Sequence, residues 1–315
     1  MVARIACGRG IYIDRMSEDK KTVLVSGATG VIGDALCRAL ESKGHTARRL
    51  SRGADTDVRW DLDAGTIDAG ALSGVDVVVH LAGERVAQRW TVAAKARIID
   101  SRIEGAKLLV RAMLEQENPP DYISASGVHF YGYQCGTGVA EASPSGDGFL
   151  AEVCRRWEGA AQPLIDAGIR TVFARFGLVL SARGGALPRL LAPFKFGVGG
   201  RIGSGEQHMS WVSLPDVVGS LLLAIEDRSI AGPLNVVSPM VVRNVEFVET
   251  LGDVLNRPTV FPLPEIVVKS FFGAMGLEAL CADINAVPQR LIALGYQWEY
   301  ADLRACLAAC VDERF

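Results

Sequence analysis

The sequence has few of the features that mark membrane, metal or nucleic-acid binding proteins. No run of about 18 uncharged apolar residues occurs, so we predict no transmembrane helix. Its seven cysteines include no Cys-x-x-Cys pair and its four histidines are scattered. This argues against a disulfide framework or a metal site, and it favours a reducing, cytoplasmic location. There is no dense Lys/Arg run and the formal net charge is -3, so a nucleic-acid partner is not expected.

The bulk composition is that of an ordinary globular protein. The chain has 315 residues, of which 49% are hydrophobic and 22% charged. That is enough for a sizeable core, in one large α/β domain or two modest ones. Residues 1–20 stand apart from this pattern, with three arginines and no apolar stretch of signal-peptide length. We predict a disordered tail there, with a start codon placed too early as the alternative and a targeting role as the less favoured one.

Strand and helix patterns alternate along the first half of the chain. Strands are predicted at 22–26, 45–51, 76–81, 122–125 and 171–175, and helices from the end of the glycine motif at Gly33 to about 43, at about 92–117 and at about 148–167. This alternation predicts a doubly wound parallel sheet. The regular alternation of strands and helices ends after residue 184. Gly184 and Gly185 open a predicted helix to about 196, followed by helices at 216–226, 244–256, 264–275 and 301–312 and a strand at 233–237.

A glycine motif lies between the first strand and the first helix. Gly27, Gly30 and Gly33 have the spacing G-x-x-G-x-x-G. The first glycine allows a tight turn, the second lets a diphosphate approach the backbone, and the third permits close helix–strand packing. The phosphates would lie at the helix N-terminus. The motif predicts a Rossmann-type dinucleotide site, and the alternative is a glycine turn without a ligand.

The end of the second strand distinguishes NAD from NADP. An acidic residue there would bind a ribose 2′-hydroxyl, but the sequence reads Arg48-Arg49-Leu50-Ser51-Arg52. A guanidinium pairs with a 2′-phosphate through two parallel hydrogen bonds, so we predict NADP(H), held by Arg52 with help from Ser51. The alternative is that these arginines are solvated. Asp61, with Leu62, follows the next short strand and is predicted to accept from the adenine amino group.

Short motifs along the chain carry a family resemblance. They are Ser26–Gly33, His80–Glu84, Arg89-Trp90, Lys95, Asp100–Arg102, Ile123–Ser126, Tyr131-Gly132, Trp157-Glu158, Arg175–Gly177, Gly203–Gly205, Ser210-Trp211, Asp216, Ser238-Pro239 and Pro288–Tyr296. Together they resemble the extended, atypical short-chain dehydrogenases/reductases. Within that group they resemble the NAD(P)-dependent epimerase family proteins that have a short characteristic C-terminal domain. The resemblance covers nearly the whole chain from about Lys21.

The resemblance implies two lobes with a substrate cleft beneath the smaller one. We therefore predict an NADP-binding Rossmann domain at 21–183 and a smaller mixed substrate lobe at 184–315, with the strand near 233–237 returning to the core. The wider superfamily uses a Tyr-x-x-x-Lys pair for proton transfer. The corresponding positions are Leu150 and Cys154. Neither side chain can do that chemistry, so the usual acid/base pair is missing.

Three other residues are candidates for the chemistry. Ser126, at a strand end, matches the serine that usually accompanies the pair and could hold a substrate oxygen, or it could satisfy the backbone there. Tyr131 could replace the missing acid, or it could be a packed tyrosine with a bonded hydroxyl. Glu84 follows a strand at the carboxyl edge of the sheet, where ligands bind, and could be a base, a substrate anchor or a helix cap.

The motifs and the resemblance together predict two sets of contacts. The cofactor contacts are Gly27, Thr29, Gly30, Val31, Ile32, Gly33, Ser51, Arg52, Asp61, Leu62, Leu81, Ala82, Gly83 and Arg175. The substrate contacts are Arg102, Gln207, His208 and Trp211. Lys95 lies on the same predicted helix as Arg102 and could contact a phosphate or carboxylate, although a solvated charge is the preferred reading.

These patterns favour an NADP(H)-dependent oxidoreductase or epimerase-like enzyme. Its substrate would be a small polar carbonyl, alcohol or sugar-type compound. The rival is a protein that senses NADP(H) without turning it over, because the acid/base pair is missing. The helices at 92–117 and 148–167 are candidates for a homodimer interface, since related folds pair two long helices in a four-helix bundle.

Overall fold

The computed structural model describes residues 19–53 and 56–315. Most of the tail predicted for residues 1–20 therefore lies outside the described residues. The first half contains β1 Thr22–Ser26, α1 Val31–Ser42, β2 Thr46–Ser51, β3 Val58–Asp61, β4 Thr66–Ile67, β5 Val77–His80, α2 Val92–Leu114, β6 Asp121–Gly127, a 3-10 turn Val128–Tyr131, β7 Gln134–Val139, α3 Phe149–Gly159, α4 Gln162–Asp166 and β8 Thr171–Phe176.

The second half has shorter strands and more helices. It contains β9 Leu178–Leu180, α5 Leu187–Lys195, β10 His208–Met209, β11 Trp211–Ser213, α6 Leu214–Glu226, β12 Gly232–Val236, β13 Val242–Arg243, α7 Asn244–Leu255, α8 Glu265–Met275, a π turn Gly276–Leu280, β14 Asp283–Ala286, α9 Gln289–Ala293 and α10 Leu303–Val311. None of the helices in the described ranges is both long and apolar enough to cross a membrane.

The main sheet has eight strands in the order β12-β8-β6-β5-β1-β2-β3-β4. Every neighbouring pair is parallel except β3 and β4. The chain order reverses beside β1, which creates the crevice where open α/β sheets bind ligands. The predicted fold class, a doubly wound parallel sheet of the Rossmann type, is confirmed.

Helices cover both faces of this sheet because its central strands are apolar on both sides. Val23 and Val25 of β1 pack into one core cluster with α1, α6 and α10, while Leu24 between them joins a second cluster with α2 and α4. Successive side chains of a strand point to opposite faces, so a continuous apolar run supplies two layers at once. The sheet therefore holds its carboxyl edge, where the glycine motif lies, on a rigid base.

A smaller, four-stranded sheet has the order β13-β10-β14-β7. Its strand β7 comes from the first half of the chain, whereas β12 of the second half lies beside β8 in the main sheet. Chain segments are thus exchanged between the two sheets. The division at residue 183 stays a prediction.

Two predicted helix boundaries were wrong. The helix expected at 148–167 is two helices, α3 and α4, interrupted at Ala160 and Ala161. Pro163 near the start of α4 has no N–H to bond the carbonyl four residues earlier, so the first helix cannot continue through it. Gly184 and Gly185 do not open a helix either, because Gly185 has φ +78° and α5 begins at Leu187.

Candidate active site

The glycine motif forms the turn from β1 into α1. Gly27 has φ +71°, and a Cβ there would lie 2.8 Å from the backbone nitrogen of Ala82. A Cβ on Gly33 would meet the carbonyl oxygen of Gly27. Gly30 precedes α1 without any side-chain cap, so side chains do not satisfy the first-turn N–H groups. The turn is a concave cradle of backbone donors, which suits a phosphate group.

A cavity of about 340 Å³ opens at this cradle. It is lined by Gly27, Gly30, Val31, Ile32, Gly33, Leu81, Arg102, Ala125, Ser126, Trp157, Phe176, Val179, Ser181, Gly184 and Gly185. The structure therefore brings the glycine motif together with two residues predicted on separate grounds, Ser126 and Arg102. Thr29 is exposed at the turn, and Ala82 and Gly83 follow Leu81 on the loop after β5.

The end of β2 presents one arginine without a partner in the described part of the chain. Arg49 pairs with Glu41 at 2.7 Å, and Arg48 donates to the carbonyl of Ser73. Arg52 is exposed at the end of the strand and makes no such contact. Beside it, the Ser51 hydroxyl accepts from the Gly53 N–H. Arg52 is therefore the guanidinium of this group that is free to bind an anion.

Asp61 and Leu62 lie at the end of β3, farther along the same edge. The Asp61 carboxylate accepts from the backbone N–H groups of Asp63 and Ala64, both at 3.0 Å. It thereby holds its own turn, and its second oxygen has no hydrogen bond among the described residues. A contact to an adenine amino group stays a prediction.

Ser126 is the cavity-lining member of a buried series of hydrogen-bonded side chains. Its hydroxyl donates to Glu158 Oε1 at 2.7 Å, and Arg175 holds both oxygens of Glu158 at 2.9 and 2.8 Å. Arg175 is 3% exposed and the Glu158 side chain 10%. A carboxylate held by two parallel hydrogen bonds has little freedom to move. With its hydrogen donated to Glu158, Ser126 would meet a ligand in the cavity as a hydrogen-bond acceptor.

Tyr131 lies behind Arg175 and does not line the cavity. Its hydroxyl donates to Asn235 Oδ1 at 2.7 Å and accepts from Arg175 Nη1 at 2.9 Å. It is 4% exposed, and burial raises its pKa. Tyr131 thus has the arrangement of the second alternative given above, a packed tyrosine with a bonded hydroxyl. Arg175 itself uses its donors on Glu158, Tyr131 and the Glu141 carbonyl.

Glu84 lies on the loop between β5 and α2, outside the cavity lining. It is half-buried, and its Oε1 accepts from Gln88 at 3.2 Å. Its backbone carbonyl accepts from Arg102 Nη1 at 3.0 Å. The described contacts therefore connect Glu84 to the cavity through Arg102.

The two residues expected from the resemblance at the positions of the usual acid/base pair, Leu150 and Cys154, are buried and uncharged. Leu150 is 6% and Cys154 7% exposed, both on α3. Burial raises the pKa of the Cys154 thiol to about 11, so it is neutral near pH 7. Neither can replace a phenol or an ammonium group.

Comparison with known proteins identifies the family. The sequence matches the NAD dependent epimerase/dehydratase family over residues 23–236, and a domain of unknown function, DUF1731, over residues 263–310. The chain belongs to the NAD dependent epimerase/dehydratase family. This confirms the resemblance drawn from the motifs, including the characteristic C-terminal domain.

Relatives match over most of their length. An epimerase family protein of Mycobacterium leprae is 38% identical over 92% of this chain and 95% of its own. A crystal structure of the human epimerase family protein SDR39U1 with NADPH has 34% identity, covers 92% of this chain and 99% of that one, and has a TM-score of 0.83. The nucleoside-diphosphate sugar epimerase of Corynebacterium glutamicum has 33% identity and a TM-score of 0.78, covering 95% of this chain and 60% of that one.

In this epimerase-family chain the remaining predicted substrate residues, Gln207, His208 and Trp211, do not line the cavity at the glycine motif. Gln207 lines a second cavity of about 480 Å³ together with Asp283. His208 donates its backbone N–H to Asp283 Oδ1, and its Nδ1 lies 2.8 Å from the same oxygen. Trp211 is fully buried and donates to the carbonyl of Met240. Arg102 is the member of the predicted substrate set that lines the first cavity.

Several residues that line the site were missed from the sequence. They are Ala125, Trp157, Phe176, Val179, Ser181, Gly184 and Gly185 in the cavity and Glu158 behind Ser126. The motifs Ile123–Ser126, Trp157-Glu158 and Arg175–Gly177 already contained four of them, Ala125, Trp157, Glu158 and Phe176. Gly184-Gly185 was a further signal, since a glycine pair allows close approach of the backbone to another segment. A Cβ on Gly184 would lie 2.5 Å from Cγ2 of Val31, at the start of α1. Within the described ranges, no group of three His, Cys, Asp or Glu side chains could hold a metal ion.

Acid is expected to destabilise this family member through His80, at the end of β5. The ring is fully buried with Nδ1 2.6 Å from Ser26 Oγ, and burial lowers its pKa from 6.5 to about 4. The unfolded chain binds a proton below pH 6.5, whereas the folded chain binds it only near pH 4. The free energy of unfolding should therefore fall by up to about 3 kcal/mol as pH drops across that window.

Urea unfolding of wild type and His80→Asn at pH 7.5, 6.0, 5.0 and 4.5 measures this effect. The variant should lose less stability on acidification than wild type. It should retain the part due to His129, because burial also lowers the pKa of that ring to about 4. An identical pH dependence in the two proteins would show that His80 takes no part in it.

Proposed function

We propose that this chain is an NADP(H)-dependent oxidoreductase or epimerase-like enzyme that acts on a small polar alcohol or carbonyl compound, sugars included. The observation that carries the proposal is the shared cavity. The Ser126 hydroxyl and the glycine cradle line the same space, at the carboxyl edge of the sheet. A dinucleotide on the cradle and a substrate oxygen at Ser126 would therefore be neighbours.

The cradle fits a dinucleotide diphosphate. At Gly27 and Gly33 a side chain would collide with backbone, so the turn leaves its N–H groups accessible to phosphate oxygens. Arg52, with Ser51, would take the 2′-phosphate, and Asp61 and Leu62 would lie on the adenine side. Thr29, Val31, Ile32, Leu81, Ala82 and Gly83 would complete the contacts. When bound, the nicotinamide ring supplies reversible hydride transfer.

Ser126 would hold the reacting oxygen as a hydrogen-bond acceptor. Its own hydrogen is committed to Glu158, so its lone pairs can receive the hydrogen of a substrate hydroxyl. As that proton moves to Ser126, the serine can pass its own proton to Glu158 Oε1. Arg175 would then be a positioning residue, which acts by fixing Glu158.

In this assignment Ser126 and Glu158 transfer the proton of the substrate hydroxyl. Tyr131 and Glu84, the other two candidates, take no direct part in that transfer. The phenol of Tyr131 is saturated by Asn235 and Arg175. Glu84 contacts Gln88 and meets the cavity through Arg102. Ser126 is the member of the predicted catalytic set that lines the cavity.

Deuterium transfer tests the proposal. The protein is incubated with NADPH deuterated at C4 and a panel of small aldehydes, ketones and nucleotide sugars, and products are examined by mass spectrometry. Incorporation of deuterium is expected for at least one class. Ser126→Ala should lower the rate constant kcat by about 100-fold or more while the Kd for NADPH is unchanged. The matched control is Ser181→Ala, a second serine of the same cavity, which should retain activity.

A second candidate, an NADP(H) sensor without turnover, is favoured by one specific observation. Leu150 and Cys154 put a buried hydrocarbon and a neutral thiol where the superfamily has its proton donor and its fixed charge. In that case NADPH would bind and protect the chain from proteolysis, but no deuterium would be transferred. Transfer into any substrate would exclude the sensor.

A further inference from the structure

Helix α2 carries two cations on one face, directed at α3. Lys95 and Arg102 are seven residues apart, which is two helical turns and about 10 Å along the axis. Lys95 Nζ lies 4.6 Å from the Phe149 ring centroid and 5.4 Å from that of Trp90. Arg102 Cζ lies 5.1 Å from the Trp157 ring centroid. Each cation is thus placed by aromatic rings, two of which belong to α3.

Neither cation has a carboxylate within 4.0 Å among the described residues. Other cations of the helix are engaged differently, since Lys107 pairs with Glu104 and Arg97 donates to Gln88. The Glu84 carboxylate acts on Arg102 electrostatically and partly opposes the lowering of its pKa, but its hydrogen bond is accepted from Gln88. Aromatic faces attract a cation but do not neutralise its charge. Within residues 19–53 and 56–315, both positive charges are therefore left without a paired carboxylate and can attract a bound anion.

Arg102 places its positive charge at the cavity of the glycine motif, whose lining includes it. Its Nη1 donates to the carbonyls of Ile98 and Glu84, both at 3.0 Å, and its Cζ would lie 2.9 Å from a Cβ on Gly83. Desolvation lowers its pKa. A desolvated charge is costly unless it is paired, so a bound anion would be strongly favoured here.

Lys95 adds to the preference for an anion at the other end of this face. It lies in the first turns of α2, where the helix dipole is positive and the first turn contains no acidic residue. Its neighbour Phe149 starts α3 and precedes Leu150, the position of the missing tyrosine. The ammonium group is therefore beside the place where the superfamily keeps its proton donor.

We propose that Arg102 binds an anionic group of the substrate in this cavity and that Lys95 adds electrostatic attraction from the other end of the face, so that the substrate would bear a carboxylate or a phosphate group next to its reacting alcohol or carbonyl carbon. This inference rests on the proposed function, because Ser126 supplies the contact to the reacting oxygen. Arg102 shares the cavity with Ser126, so the anionic group lies on the same small molecule. The shared ligand chemistry is an oxyanion that accepts hydrogen bonds from cations.

Calorimetric titration of the NADPH-saturated protein tests the site. Inorganic phosphate and succinate are titrated separately at constant ionic strength, so that the two arms distinguish a phosphate from a carboxylate ligand. Wild type is expected to bind at least one of them. Lys95→Met and Arg102→Met should each weaken that binding by about tenfold or more, and Lys95→Arg should retain it. Methionine keeps the apolar contact with the rings, so packing is largely preserved.

Matched controls come from the same helix. Lys107→Met and Arg97→Met remove cations of α2 that have other partners, and they should leave anion binding unchanged. Equal losses in these controls would mean that only the general charge of the helix matters, and would overturn the proposal. Unchanged binding in both Lys95→Met and Arg102→Met would overturn it as well.

The alternative ligand of Arg102 is the cofactor itself. If Arg102→Met weakens NADPH binding and leaves anion binding intact, the guanidinium binds the cofactor and the proposed site is wrong. If Arg102→Met does not fold, Lys95→Met and Arg102→Lys decide the matter by the same titration. Should NADPH fail to bind while the anions bind with the expected variant pattern, the proposed function is wrong and the anion site stands.

Discussion

Arg175→Met is expected to lower the free energy of unfolding by about 3–5 kcal/mol, measured by urea or guanidinium denaturation. Arg175 is 3% exposed and holds both oxygens of Glu158. The substitution would leave Glu158 as a buried carboxylate whose remaining partner in this chain of contacts is the neutral Ser126. It would also remove a donor from the buried hydroxyl of Tyr131.

Two further variants separate the buried pair from charge removal in general. Arg243→Met removes an arginine paired with Glu206 on the surface, where both side chains are more than half exposed, and should cost less than about 1 kcal/mol. The double variant Arg175→Met with Glu158→Gln removes both charges and should recover part of the loss. A loss below about 1 kcal/mol in Arg175→Met would contradict the role assigned to this pair.

Arg52→Met is expected to weaken NADPH binding by about 10- to 100-fold, because a charge-assisted contact to the 2′-phosphate contributes about 1.5–3 kcal/mol. The affinity for NADH, which lacks that phosphate, should not change. Arg52 is exposed at the end of β2 and has no partner among the described residues, so the substitution should also leave stability unchanged. Fluorescence titration of both cofactors measures the two Kd values.

Arg49→Met is the matched control for this experiment. Arg49 is three residues away on β2 and is already paired with Glu41. Its removal should leave the preference for NADPH over NADH intact. If Arg49→Met abolishes the preference and Arg52→Met does not, the choice of Arg52 is wrong.

The sequence predicted the main sheet better than the helices around it. Apolar β-branched runs such as that of β5 are local signals that suit a doubly covered parallel sheet. The end of α3 depends on Pro163, whose missing N–H stops a helix even where the apolar pattern continues. The start of α5 depends on Gly185, whose positive φ interrupts a pattern that reads as helix.

The roles of individual residues in the site were harder to predict, because they depend on the tertiary contacts of each side chain. Tyr131 and Ser126 have similar standing as sequence candidates, yet Ser126 lines the cavity and Tyr131 is enclosed by Asn235 and Arg175. Trp211 was expected beside a substrate and is fully buried in the core. A residue's burial is set by the packing of distant segments, and no short motif reports it.

The sequence by itself determined the family and the cofactor cradle, because a strand, three spaced glycines and a helix are close in the chain and their backbone geometry is local. Only the tertiary structure decided which side chains meet at the cavity. Ser126, Glu158 and Arg175 come from β6, α3 and β8, and their contact requires those elements to pack. The same holds for Lys95 and Arg102, whose contacts with the aromatic rings of α3, and whose lack of carboxylate partners among the residues that the structure describes, depend on how α2 packs against α3.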